Sequence, residues 1–297
     1  MSPNETPGVS RFCSAPDGLK LHLRDYGSAQ DAGTPVVCIP GLTRNSVDFE
    51  PLARALAGGS AGGRKRRVLC VDYRGRGLSE HDSNWQNYDV KVENADILAQ
   101  LTAEGVNEAI IVGTSRGGIH GMFFGATRPA MLRGVVLNDV GPALESKGMA
   151  RIKAMVGKLP SPASLDDAID LMKRMNSALW TGLSEDEWRL FARTTFERPD
   201  GGFGMTYDPQ LMKTLEQLDT DKPLPTLWPL FDALAKIPVL VLRGENSDLL
   251  SADATKDMCA RHANCAEYVV PGQAHAPLLA DAPTIARISA FVAACDS

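Results

Sequence analysis

Apolar residues along this chain follow two rhythms. In the first they form short unbroken runs: "PVVCIP" (35–40), "RVLCVD" (67–72), "EAIIVG" (108–113), "RGVVLND" (133–139), "IPVLVLRG" (237–244) and "AEYVVPG" (266–272). Runs of this length suit parallel strands buried on both faces. A seventh, "LKLHLRDYG" (19–27), alternates with period two, as a half-exposed antiparallel strand does. In the second rhythm apolar positions recur with helical spacing, as in 90–101 and 119–127, between the runs. Strand and helix in alternation predict an α/β protein: a mostly parallel twisted sheet with helices on both faces.

The alternation lapses between 144 and 228. "MARIKAMVGKL", "LDDAIDLMKRM" and "EDEWRLFART" are helical in period, with no strand-like run between them. A helical insertion at the C-terminal end of a strand, where open α/β sheets bind ligands, suggests a cap. The expected domains are therefore a core formed by 1–143 and 229–297 and an α-helical cap insertion at 144–228.

Composition changes little in this picture. Hydrophobic residues make up 44% and charged residues 23% of 297, and the net charge of -5 gives no reason to expect nucleic acid. The run Arg64, Lys65, Arg66, Arg67 reads as a solvated loop before a strand. The six cysteines include no C-x-x-C pair, so no zinc or redox motif is suggested, and a reducing compartment fits best. The N-terminus lacks a basic start and an apolar stretch, and no run nears the ~18 apolar residues of a membrane span. The expectation is a cytoplasmic protein without membrane partners, monomeric or homodimeric.

Candidate chemistry centres on Gly113-Thr114-Ser115-Arg116-Gly117, a G-x-S-x-G pattern. The pattern alone is weak, since Gly58-Gly59-Ser60-Ala61-Gly62 also fits it. Context separates the two. Ser115 follows an apolar run and opens a helix, as a nucleophile elbow requires, and small flanking residues allow strand and helix to approach closely. The other match sits in a glycine-rich loop with no strand before it.

A serine hydroxyl needs a base, and the base needs an orienting carboxylate. Of five histidines, His275 alone follows the last apolar run and lies in a loop of small residues. The acid is expected after the preceding strand, where "VLVLRGENSDLLS" offers Glu245 and Asp248; Asp248 is preferred. Asp139, at the end of the run after the nucleophile helix, is the rival. Two backbone donors are needed for an oxyanion. The amide of Arg116 is one. Leu42 supplies the other, from Pro40-Gly41-Leu42, where Gly41 lets the chain approach the substrate. Arg44 and Arg116 could each bind a substrate carboxylate, but the stronger expectation is that each pairs with a nearby acid such as Asp48 or Asp139. Trp180, with other aromatic residues of the insertion, is a candidate lining of an apolar acyl pocket.

Taken together, the chain resembles an α/β-hydrolase of the lid-bearing esterase and lactonase type, from about Gly18 to Ala294. The resemblance rests on Pro40-Gly41-Leu42, where the family often has His-Gly, and on "DYRGRGLSE" (72–80), "GTSRGG" (113–118), "LNDVGP" (137–142), Asp248 and His275. It implies a Ser-His-Asp hydrolase of small to medium carboxylic esters or lactones, with neither metal nor organic cofactor. Two alternatives remain. One is a C–C bond hydrolase acting on a diketone-type substrate, although such enzymes usually follow the catalytic histidine with tryptophan and here Ala276 follows. The other is a slow receptor-like ligand-binding protein.

Overall fold

A computed structural model describes residues 8–59, 63–216 and 218–296. One eight-stranded sheet organises it. Its strands are β1 (Val9–Ser14), β2 (Lys20–Tyr26), β3 (Gly33–Ile39), β4 (Arg66–Val71), β5 (Ala109–Thr114), β6 (Leu132–Asn138), β7 (Val239–Gly244) and β8 (Cys265–Val270). Their order across the sheet is β1-β2-β4-β3-β5-β6-β7-β8. The β1–β2 and β2–β4 pairs are antiparallel and all others parallel.

Period two explains how the unbroken runs are buried. Val37, Ile39, Leu69, Val71, Ile111, Val135, Leu137 and Val241 face one layer of helices. Val36, Cys38, Val68, Cys70, Ile110, Val112, Val136, Leu240 and Leu242 face the other. The helices are α1 (Glu50–Gly58), α2 (Val90–Ala103), α3 (Arg116–Thr127), α4 (Ser146–Met155), α5 (Leu165–Asn176), α6 (Glu185–Phe196), α7 (Lys213–Glu216), α8 (Trp228–Asp232), α9 (Ala252–Arg261) and α10 (Ala282–Ala294). Residues of α2, α3, α8 and α9 cover the first face, and those of α1 and α10 the second.

Among the described residues no sheet strand lies between β6 and β7; the chain there forms α4 to α8. α5 and α6 pack on each other through Ala168, Ile169, Met172, Trp188, Ala192 and Phe196. Ser164 caps α5, and Ser184 with Glu187 forms a reciprocal capping box on α6. The segment leaves and rejoins the sheet side by side, since Leu227 N–H donates to Pro142 O at 2.7 Å.

Four features differ from the sequence expectation. β2, expected to be half-exposed, is buried at most positions, and β8, expected to be buried on both faces, is half-exposed at the sheet edge. β1 was not anticipated: it is almost wholly exposed and so carries no burial period to read. The basic run is not a solvated loop throughout. Arg66 and Arg67 begin β4 and are buried, Arg66 on Asp296 and Arg67 on Asp25 and Glu104. Ser60 to Gly62, part of the second G-x-S-x-G match, lie outside the described residues. No helix among the described residues is long and apolar enough to cross a membrane.

α3 sits so close to the sheet that Gly113 and Gly117 have no room for a side chain. A Cβ on Gly117 would stand 2.0 Å from Ile39 O, and one on Gly113 would stand 2.4 Å from the Gly117 backbone. Both obstacles are main chain and cannot rotate away. Gly117→Ala should therefore destabilise the fold by about 1–3 kcal/mol or more, as overpacking does, read as a lower urea midpoint at unchanged m-value.

Candidate active site

Ser115 occupies the turn from β5 into α3, with φ 51° and ψ -114°. This is a costly conformation for a residue with a side chain. The contacts around the two glycines hold it, together with the Ser115 N–H bond to Asn138 O at 2.9 Å. His275 arrives from the loop after β8. There Gln273 Oε1 accepts the Leu278 N–H, Asn138 Nδ2 donates to Pro277 O, and Glu245 Oε2 accepts the Gly272 N–H.

The side chains meet in a line. His275 Nε2 is 3.0 Å from Ser115 Oγ, and His275 Nδ1 is 2.7 Å from Asp139 Oδ2. An ionised carboxylate only accepts, so Nδ1 carries the proton and the lone pair of Nε2 faces the serine hydroxyl. Asp139 is wholly buried, with φ 55°. Its Oδ1 accepts the Gly244 N–H at 2.8 Å and its Oδ2 also accepts the Ser247 hydroxyl at 2.6 Å.

The partner of His275 is therefore Asp139, the rival, and not the preferred Asp248. Asp248 lies beyond the end of β7, and both its oxygens receive Arg151 of α4, at 2.7 and 2.8 Å. Burial opposes ionisation of Asp248, but hydrogen bonds and charge from Arg151 outweigh it and hold the carboxyl below its ordinary range. The β7 loop still serves His275 indirectly, because Ser247 and Gly244 fix Asp139.

Arg116 follows Ser115 in the chain, and Leu42 lines the same cavity as Ser115. Arg116 is the first residue of α3, where an N–H has no intrahelical acceptor. Gly41, Leu42, Arg44, Trp180, Ser115 and His275 all line one cavity of about 190 Å³, many times the room one water needs. Its remaining wall is mainly apolar and includes Met155, Leu159, Met172, Leu190, Phe191 and Leu279. Trp180 is buried and its indole N–H has no protein acceptor among the described residues. Trp188, Phe196 and Phe203 do not line the cavity; they pack in the core between α5 and α6.

Both arginines singled out in the sequence are braced. Arg44 forms a two-pronged pair with Asp48 at 2.8 and 2.6 Å and donates to Thr194 and Thr195. Arg116 Nε donates to Glu93 at 2.6 Å, not to Asp139. Sequence reasoning missed Arg151, which also lines the cavity. Its Nε–Nη2 edge is occupied by Asp248, and Nη1 has no hydrogen bond among the described residues. No signal in sequence marks one arginine of an amphipathic helix as the one facing a site. No group of three or more His, Cys, Asp or Glu side chains suited to a metal ion exists among the described residues.

Beneath the elbow lies a buried charged cluster. Burial presses the Glu93 carboxyl towards its neutral form, but the charges of Arg116 and Arg76, with a His120 hydrogen bond, outweigh it and hold Glu93 well below its ordinary range. Burial pushes the His120 imidazole down, against the hydrogen bond and charge of Glu93. Asn94 Nδ2 donates to its Nδ1 at 2.6 Å, so Nε2–H faces Glu93 at 3.3 Å.

Comparison with known proteins agrees with this architecture. The model of the Alpha/beta hydrolase family matches residues 36–288, and the chain belongs to that family. It is 31% identical over 290 residues to a 3-hydroxybutyrate-oligomer hydrolase of Cupriavidus necator, covering 94% of this chain and 95% of that one. It is 27% identical to a 2-(acetamidomethylene)succinate hydrolase of Mesorhizobium japonicum, covering 86% and 85%. Among solved structures, an alpha/beta hydrolase from Novosphingobium aromaticivorans superposes with a TM-score of 0.84 at 32% identity, covering 97% and 98%.

The buried histidine gives a pH signature. An unfolded chain protonates its histidines near pH 6.5, whereas native His120 resists the proton. Stability from this group is present above that pH and is lost as pH falls towards the lowered native pKa. Between about pH 7 and 5 the wild type should lose melting temperature more steeply than His120→Gln. The Glu93 contribution is present above the ordinary carboxylate pKa and fades only at lower pH, so thermal melts against pH separate the two.

Proposed function

We propose that the protein is a serine hydrolase of carboxylic esters. Ser115 is the nucleophile, His275 the general base and Asp139 the acid that orients it. The observation that carries this reading is the unbroken chain Ser115–His275–Asp139 opening onto an apolar cavity. His275 takes the hydroxyl proton as Ser115 attacks the ester carbonyl. The resulting oxyanion sits against the Leu42 and Arg116 amides, at the positive end of α3. His275 then gives the proton to the departing alcohol. Water cleaves the acyl-enzyme by the same steps in reverse.

The helical segment 144–228 acts as a cap over a core of 1–143 and 229–297. It supplies Arg151, Met172, Trp180 and Phe191 to the cavity wall. The substrate class is a short to medium ester or lactone whose acyl or alcohol part bears a hydroxyl or carboxylate. Three features support this: the unpaired Trp180 indole N–H, the spare Nη1 of Arg151, and relatives named for a hydroxybutyrate oligomer and a succinate derivative. The substrate carboxylate binds at Arg151 and not at Arg44 or Arg116, whose guanidinium groups are committed to protein acids.

Hydrolysis of p-nitrophenyl esters from acetate to decanoate tests the reading. Wild type should turn over the shorter chains and Ser115→Ala should not. Should wild type be inert to every ester while Ser115 still labels with a fluorophosphonate, the bond cleaved is another one and C–C substrates come next. Should it neither hydrolyse nor label, the reading fails.

The acid assignment has its own test. Asp139→Asn should lower kcat by about 10³–10⁴-fold, the scale seen when a triad histidine loses its carboxylate. Asp248→Asn should cost less than about tenfold. Equal losses would overturn the choice of Asp139. Arg151→Met should raise KM for a hemisuccinate ester about tenfold or more while leaving that for a neutral ester of equal length nearly unchanged; equal effects would remove the carboxylate from the substrate class.

A further inference from the structure

The two proposed oxyanion amides come from loops far apart in sequence, and one buried carboxylate ties both down. Glu93, on α2, is fully buried. Its Oε2 accepts Arg116 Nε at 2.6 Å and faces His120 Nε2 at 3.3 Å, both on α3. Its Oε1 lies 2.8 Å from Arg76 Nη1. Arg76 is itself fully buried, stacked between the Tyr73 and Tyr88 rings at 5.0 and 5.3 Å. Its Nε donates to Leu42 O at 2.9 Å.

The loop at Leu42 is pinned carbonyl by carbonyl. Tyr73 Oη donates to Pro40 O at 2.8 Å, Arg44 N–H donates to Gly41 O at 3.1 Å, and Arg76 takes Leu42 O. The Leu42 N–H belongs to the Gly41–Leu42 peptide. In a trans peptide it points away from the Gly41 carbonyl that Arg44 holds. Arg76 holds the following peptide, Leu42–Thr43, by its carbonyl, so the Leu42 N–H lies between two fastened carbonyls, one held by Arg44 and one by Arg76. The Arg116 N–H depends on the first turn of α3, which the Arg116 side chain fastens to the same Glu93.

We propose that Glu93 is the positioning residue of the oxyanion hole: through Arg76 it braces the peptide that follows the Leu42 amide, and through the Arg116 side chain it sets the amide of the residue after the nucleophile. It touches neither substrate nor Ser115. The cluster also explains a buried excess of cations, two guanidinium groups on one carboxylate, beside the place where negative charge develops. The inference rests on the serine-hydrolase reading above.

Glu93→Gln keeps the shape and removes the charge that holds the two arginines together. The measurements are kcat and KM on p-nitrophenyl butyrate, and inhibition by an alkyl trifluoromethyl ketone, whose hemiketal oxyanion occupies the hole. The expected result is a kcat about 100-fold lower, the scale of losing one oxyanion donor, with KM within about twofold. Ketone affinity should fall by a similar factor. A merely structural role would lower kcat only with the fraction of folded protein, counted by thermal melting, and leave ketone affinity per folded molecule unchanged; that result overturns the inference.

Should Glu93→Gln not fold, Arg116→Gln cuts the second tie at a partly exposed side chain. It should lower kcat and ketone affinity together by about tenfold, and unchanged ketone affinity would again overturn the inference. Ser115→Ala, run in parallel, keeps the two levels apart. If it retains ester hydrolysis, the serine-hydrolase reading has failed; if it is inactive and Glu93→Gln and Arg116→Gln behave like wild type, only the role of Glu93 has failed.

Discussion

The contact between α3 and the sheet at Gly117 is the constraint on which the rest depends. Main chain meets main chain there, with no side chain between. A helix seated so closely leaves the preceding residue one way to turn, and Ser115 takes it at positive φ. The hydroxyl is then raised clear of the turn, where the helix N-terminus and the two loops beside it converge. The strain at Ser115 is local and is held by contacts that any larger residue at Gly113 or Gly117 would remove.

Around that turn the protein buries charge in paired clusters, in which Glu93 Oε1 meets Arg76 as an ion pair and Arg76 Nη2 has no hydrogen-bond partner among the described residues. Glu93 serves Arg76 and Arg116 together, while Arg74 binds Asp96, Asp82 and Asp17. A lone buried charge would cost several kcal/mol, and a pair recovers that cost only when its geometry and remaining hydrogen bonds are good. Such clusters contribute little net stability. They fix direction: here one carboxylate holds the first residue of α3 and, by way of Arg76, the Leu42 carbonyl.

The Arg151–Asp248 pair joins the helical segment to the core loop that also supports Asp139 through Ser247. The rim of the cavity and the charge partner of His275 therefore share one short stretch, Gly244 to Asp248. Arg151 and Asp139 are thus tied to neighbouring residues of one loop, Asp248 and Ser247.

The sequence by itself determined what local periodicity and chain order can carry. Continuous apolar runs suited strands covered on both faces, which holds for the central strands but not for the edge strand β8, and the break at 144–228 read as helical. Ser115 stood out from its lookalike because a strand precedes it and a helix follows. His275 stood out because only the last loop remained for a base. The tertiary structure decided what depends on neighbours across the sheet. Chain order made the loop after β7 look like the source of the carboxylate beside His275, but β6 lies next to β5 in the sheet, and Asp139 is the one bonded to His275 while Asp248 turns to Arg151. The burial of Arg66 and Arg67, the exposed β1 and the junction at Glu93 were invisible for the same reason. Each depends on a partner far along the chain, and spacing within a segment says nothing about which distant segment will lie beside it.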